Sequence, residues 1–375
     1  MTAFFGSIPA MIVLTGVLVG LASVLPGTFL VLRGNAMLTD AISHSIVLGI
    51  VLVWLATGAT AGPVQIAGAA LAGIATVVAT EALARTRLVK PDAAIGLVFP
   101  AMFALGVLLI NVFARNVHLD AHTVLLGEIG FVWLDTLPVM GAQVPRAVVW
   151  LAIMLAINAG FVLAFYKELK LATFDADQAE ALGLRPRLLF NLLLALTSAT
   201  AVAAFDAVGV ILFITFVIVP PATALLLTDR LSRMIALAGL VAAGSALSGY
   251  PLAVMWDVSI GGMMALMTGV FFTAAFLLAP RHGLVAGWLR ARGQRRDHDC
   301  RALVVHLLNH ADTPEAAEEN TARAMAEHLH WAAPRVVRVI VDGLDRGLIR
   351  REGEMLTLTP KGRAMARDIR DPLAG

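Results

Sequence analysis

The chain has 375 residues, a formal net charge of +2, 59% hydrophobic residues and 14% charged ones. Soluble domains carry about 25% charged residues, so a wholly water-soluble globule is excluded and a bilayer is implied. A single cysteine, Cys300, excludes an internal disulfide framework and any paired-cysteine zinc or redox motif.

A spanning helix needs about 20 apolar residues. Apolar runs predict spans at 9–32, 37–57, 64–84, 93–113, 147–166, 188–204, 207–227, 233–250 and 260–280. The first charged side chain is Arg33, so the opening run lacks the basic flank of a cleavable signal peptide and is expected to stay as a span. Alternate connections carry the basic residues: Arg33, then Arg85 to Lys90, Lys167 to Arg187, and Arg230 with Arg233. The intervening connections near 58–63, 205–206 and 251–259 carry none. Lys/Arg-rich loops stay in the cytoplasm, which puts the N-terminus outside and the C-terminus inside for nine spans; eight remain if one run does not cross. Residues 114–146, with His118, Asp120, His122 and Glu128, read as an outer loop holding a short re-entrant or interfacial helix.

Composition changes after Pro280. Residues 1–280 hold 12 Lys/Arg and 13 Asp/Glu, whereas 281–375 hold 16 and 13 in a third of that length. Residues 281–296 form a basic juxtamembrane linker (Arg290, Arg292, Arg295, Arg296) suited to anionic lipid. Residues 297–370 read as a small cytoplasmic domain, with helices at 299–310, 314–329 and 333–346, a hairpin through Gly353 and a last helix after Pro360.

The chemistry concentrates between Asn35 and Gly49. Thr39, Asp40, Ser43 and His44 are spaced to share one helix face, against apolar Ala41, Ile42 and Ile46 on the other. An ionisable group inside a membrane costs several kcal/mol and by default lines a pathway. Asp and His at i, i+4 can hold one divalent cation between an oxygen and an imidazole nitrogen. Two donors are few, and a symmetric dimer would bring four to a shared axis, which suits an ion that loads and leaves. A hydrogen-bonded Asp–His pair without metal is the plainer alternative.

Other candidates carry less. His118, Asp120 and His122 can capture metal or form a solvated patch. Glu81, Asp206 and Asp257 sit at span ends, where snorkelling explains them, and Met263, Met264 and Met267 suit packing. His306, His310, His328 and His330 read as surface histidines rather than metal sensors. None of the four lysines follows a glycine, so no phosphate-binding Gly-Lys-Ser/Thr loop exists and energy must come from a partner or a gradient. No nucleophile–base constellation can be assembled, so the chain is not expected to be an enzyme.

Several motifs in order then carry a resemblance: Val31-Leu32-Arg33 with Thr39-Asp40-Ala41-Ile42-Ser43-His44; Asp92 to Val98; Thr173-Phe174-Asp175 with Ala181-Leu182-Gly183-Leu184; and Ala207 to Val210 with Val219-Pro220-Pro221-Ala222-Thr223-Ala224. Over 8–280 the chain resembles the permease subunits of ABC importers for manganese, zinc and iron. The resemblance implies an all-α polytopic membrane domain (1–280) akin to type II importer permeases. It also implies a second, identical or related permease, a cytoplasmic ATPase and an extracytoplasmic metal-binding protein. The transported divalent ion would be cargo, with no permanently bound cofactor. Asp40 and His44 would line or ligate the metal path, with Thr39, Ser43 and Thr223 along it, and Thr228, Asp229 and Arg230 would couple to the ATPase. The Asp175 to Leu184 loop is a second coupling candidate. Asp206 departs from relatives, which often carry a basic residue there.

The tail (297–370) is similar to the winged helix-turn-helix of iron- and manganese-responsive repressors, a small α+β fold. On that resemblance Arg335, Arg338, Arg350 and Arg351 would reach DNA. Its 11 Lys/Arg against 12 Asp/Glu favour a protein-interaction or dimerisation module instead. A proton-coupled metal transporter would want more intramembrane acids than Asp40. A membrane-tethered metal-responsive regulator would bind DNA and move no metal.

Overall fold

The computed structural model describes residues 7–58, 63–113, 129–139, 142–281, 283–311, 313–314 and 316–370. His118, Asp120, His122 and Glu128 lie outside the described residues, as does the side chain of Asp206. The chain divides into two compact units, residues 1–283 and 284–375.

In the first unit, α1 (Ile8–Leu32), α2 (Ala36–Thr57), α3 (Pro63–Arg85) and α4 (Pro91–Phe113) follow one another. After a 3-10 turn at Ile129–Phe131 come strands β1 (Thr136–Val139) and β2 (Ala142–Pro145), paired antiparallel. The described part of the outer segment is therefore a 3-10 turn and a strand pair; residues 114–128, the larger part of the segment where a short helix is expected, lie outside the described residues. The strands pair from Thr136–Pro145 to Val139–Ala142. Then follow α5 (Arg146–Ala164), α6 (Tyr166–Phe174), α7 (Ala176–Ala181), α8 (Pro186–Leu227), α9 (Leu231–Trp256) and α10 (Ile260–Leu278). The basic loop expected at 167–187 is thus largely helical, and Asp175 starts α7 by accepting the Gln178 N–H at 2.9 Å.

Among the described residues, nine segments are long and apolar enough to cross a membrane. Element α8 supplies two of them, Pro186–Phe205 and Ala207–Leu227. Forty-two helical residues would run roughly 63 Å, twice the hydrocarbon thickness of about 30 Å, so the element has to break. It does so at Gly209, whose φ of 72° and ψ of 171° suit only glycine.

Two groups of helices meet on α8. Helix α1 packs on α5, α8 and α9, and α10 covers α8 and α9, while α2 lies against α3, α4 and α8. The core runs through Phe29, Ile42, Ile46, Leu151, Phe213 and Phe216. Small residues allow a close crossing: a Cβ on Gly27 would overlap the Val217 carbonyl, so α1 and α8 approach backbone to backbone. Buried Asn158 on α5 donates through Nδ2 to Ala22 O (2.9 Å) and Thr200 Oγ1 (2.8 Å), tying three helices by polar contacts inside the bundle.

The second unit opens with α11 (Leu284–His310), one helix that takes in most of the segment expected as a linker. It continues with α12 (Ala316–Glu319), α13 (Ala322–His328), α14 (Ala333–Asp345), strands β3 (Ile349–Glu352) and β4 (Met355–Leu358), and α15 (Pro360–Arg370). The single helix expected over 314–329 is two, because Thr321 is extended and caps α13 by accepting the Ala324 N–H. Strands β3 and β4 pair antiparallel from Ile349–Leu358 to Glu352–Met355, and Gly353 turns at φ 66°. A separate core of Cys300, Leu303, Leu307, Met325, Val336, Val339 and Leu356 holds the unit together.

Candidate functional site

Helix α2 turns a sealed apolar face inward: Ala41, Ile42 and Ile46 are fully buried. Asp40 and His44 stand away from it, their side chains 41% and 29% exposed, with Asp40 Oδ1 3.4 Å from His44 Nε2. Helix α4 supplies a frame for the imidazole. The Phe99 ring stacks on it at 5.7 Å with 26° between planes, and the Phe103 ring meets it edge-on at 5.8 Å. These aromatics at i, i+4 limit how the imidazole can turn. They escaped the sequence reading because an aromatic pair in an apolar run looks like any packing pair.

The four polar residues of α2 differ in exposure. Thr39 and Ser43 are buried at 0% and 1% exposure, one helical step round from the Asp–His pair. Ser43 Oγ donates to Thr39 O at 2.8 Å, whereas the Thr39 hydroxyl is buried with no hydrogen-bond partner among the described residues. Four positions spread over an arc of roughly 140° at 100° per residue, and packing against neighbouring helices seals the leading edge of that arc. Thr223, also buried, donates its hydroxyl to Val219 O within its own helix.

An oxygen and a nitrogen 3.4 Å apart match one edge of a tetrahedron around an ion held at about 2.1 Å. The pair can therefore ligate one divalent cation from a single chain, with water or a second chain completing the shell. The set is one carboxylate and one imidazole, suited to manganese, iron or zinc, without the thiolates that select copper(I).

Thr228, Asp229 and Arg230 form the turn between α8 and α9. Thr228 is extended and its Oγ1 accepts the Arg230 N–H at 3.3 Å, while Asp229 pairs with Arg281 at 2.5 Å. Of the weaker candidates, Glu81 pairs with Arg85 on the surface, Asp257 ends α9 with φ 53°, and Met263 and Met264 are buried core.

In the second unit, Arg335 is held by Asp299 at 2.5 Å and lies 4.6 Å over the Trp331 ring. Arg338 lines a cavity of about 810 Å³ with Trp288, Arg292, Arg295, Arg296 and Arg335. Arg350 and Arg351 are exposed on β3, and Arg351 Nε donates to Gly353 O at 3.0 Å. His306, expected as a surface histidine, is buried at 7% exposure.

The model of the ABC 3 transport family matches residues 8–279. The zinc transport system membrane protein TroD of Treponema pallidum (strain Nichols) is 44% identical over 355 residues, covering 95% of this chain and 97% of that protein. That alignment is long enough to enter the second unit. The manganese transport system membrane protein MntD of Bacillus subtilis (strain 168) is 45% identical over 292 residues, covering 78% of this chain and 99% of that protein. Among solved structures, PsaBC from Streptococcus pneumoniae in complex with Fab superimposes with a TM-score of 0.63 at 26% identity, covering 75% of this chain and 98% of that one.

Proposed function

We propose, from the premise that this chain belongs to the ABC 3 transport family and is the membrane permease of a metal ABC transport system, that Asp40 and His44 are its ion-lining pair. The observation that carries this reading is a carboxylate and an imidazole 3.4 Å apart on an apolar spanning helix, partly exposed on a single chain. A second permease, identical or related, would complete the path and contribute two more donors. Thr39, Ser43 and Thr223 are proposed as path residues, with the unpaired Thr39 hydroxyl as the strongest support among them. Manganese, zinc or iron suits the donor set, and transport proteins for zinc and for manganese are among the relatives.

The chain carries no phosphate-binding loop, so a separate cytoplasmic ATPase is the proposed energy source and an extracytoplasmic metal-binding protein the proposed supplier. Closure of the ATPase would reach the helices as rigid-body motion through the α8–α9 turn at Thr228, Asp229 and Arg230. Two helices joined by a short, internally capped turn move as a unit when the turn is pushed.

We place the second unit in the cytoplasm, on the excess of basic residues in its connecting segment. Its order of helices followed by a two-stranded hairpin supports a winged-helix reading. A protein-interaction module is favoured over a DNA reader, because Arg335 already neutralises Asp299. DNA contact, if made, would fall to Arg338, Arg350 and Arg351.

The test is elemental analysis of cells expressing the chain with its ATPase and metal-binding partner, as wild type, Asp40→Ala or His44→Ala. Accumulation of one metal, reduced at least about tenfold by either substitution at equal membrane abundance, is the expected result. Undiminished uptake in both variants would make the pair structural.

A further inference from the structure

Three histidines remote in sequence come together in the second unit. His306 and His310 lie one turn apart at the end of α11, and His328 is the last residue of α13. Their rings sit 4.8, 5.6 and 5.7 Å apart, and one nitrogen from each lies within 4.8 Å of the others. Glu319, from α12, brings its Oε2 to 3.1 Å from His328 Nδ1.

We propose that His306, His310 and His328 form a binding site for a zinc-class divalent transition-metal ion, with the Glu319 carboxylate orienting His328 from outside the shell. Several features favour a cation there over plain packing. Helices α11 and α13 both end at the cluster, and a helix C-terminus carries partial negative charge. His306 Nε2 lies 3.4 Å from the Glu319 carbonyl oxygen. A proton donated to that carbonyl fixes the tautomer and leaves Nδ1 as the ligating atom, the usual outer-shell support of a metal-bound imidazole.

The donor set decides the metal class. Three imidazoles with water in the fourth position suit zinc in a tetrahedral shell, whereas manganese prefers oxygen donors. A tetrahedral zinc site has ligand edges of roughly 3.4 Å, so donors now within 4.8 Å of one another would draw closer on binding. An ion held there would add a polar cross-link between α11 and α13, beside the apolar core that Leu303, Leu307 and Met325 share. This site shares no residue with the Asp40–His44 pair, and its test is independent of that reading.

The full-length chain carrying Asp40→Ala and His44→Ala is purified in detergent, equilibrated with Zn²⁺ and analysed for metal per chain. One equivalent of zinc, retained against excess Mn²⁺ and lost in either His310→Gln or His328→Gln added to that chain, is expected. Co²⁺ in the parent chain should give the intense visible bands of a tetrahedral nitrogen–oxygen shell, which requires no tail variant to fold. Absence of zinc from the parent, the same zinc content in both histidine variants, or only weak octahedral cobalt bands would overturn the proposal.

Discussion

Asp297 ties two distant parts of the second unit. Its carboxylate accepts from Arg346 at the end of α14 at 2.8 Å and pairs with Arg301 one turn along α11 at 3.1 Å. The Arg346 hydrogen bond, above the opposing cost of burial, holds its pKa below the usual carboxylate value. A carboxyl depressed on folding stabilises the fold above its unfolded pKa of about 3.9, and that contribution disappears as pH falls through the lower folded value. Asp297→Asn is therefore expected to destabilise the unit at neutral pH by less than about 1 kcal/mol, as a partly exposed pair should, and to make no difference in strong acid. Cys300 gives the readout: it is fully buried, and burial raises its thiol pKa, so labelling reports opening of the unit. Labelling with an acid-tolerant disulfide reagent should run faster in the variant at pH 7 and converge with wild type below pH ~3. Equal rates at pH 7 would show that the pair adds nothing. At this scale the sequence revealed chemistry better than surroundings. Asp40 and His44 stand out because charge is rare in an apolar run. Periodicity gives their spacing but not which side the neighbouring helices seal, and Thr39 and Ser43 fall on the sealed side of the same arc. His306 looked superficial because a histidine pair at i, i+4 reads the same against solvent as against a third helix.

Elements were the most legible level, since an apolar run of spanning length has few other uses. All nine expected spans have counterparts among the described residues. What stayed hidden depends on single backbone angles or on short pieces. The hairpin at 136–145 lacks the length that would separate strand from loop. The break in α8 falls at Gly209 rather than at the polar connection expected at 205–206, because one glycine among many in a bundle carries no mark of its φ. That break is where substitution should tell. Gly209→Ala forces a Cβ into a backbone region that costs about 1–3 kcal/mol for other residues. Gly269 is the control, since it sits on α10 with nothing within 4 Å of a Cβ and an ordinary φ. Heating both variants in detergent and following the monodisperse fraction should show a lower midpoint for Gly209→Ala and none for Gly269→Ala. Equal midpoints would mean that the helix re-forms around the alanine without strain.

At the scale of the whole molecule, each unit closes its own core. Buried apolar residues of the permease unit run from Ile12 to Met264 in one cluster, and those of the second unit from Cys300 to Ala366 in another. The permease unit also finishes its own end: the Gly283 N–H donates to Ala279 O at 2.9 Å, and Arg281 pairs with Asp229 in the α8–α9 turn. A chain cut after Gly283 keeps every one of these contacts, together with Asp40 and His44. Such a truncation is expected to reach the membrane and to support metal uptake close to that of the full chain when the ATPase and metal-binding partner are co-expressed. Elemental analysis of cells, normalised to permease in the membrane fraction, measures it. Full uptake by the truncated chain would assign transport to the first unit and leave the second a role of its own, as a separate core and a separate histidine cluster suggest. Loss of uptake at normal membrane abundance would make the second unit part of the transport cycle. The α8–α9 turn, tied to Arg281 just before that unit begins, would then be the first place to look for the link.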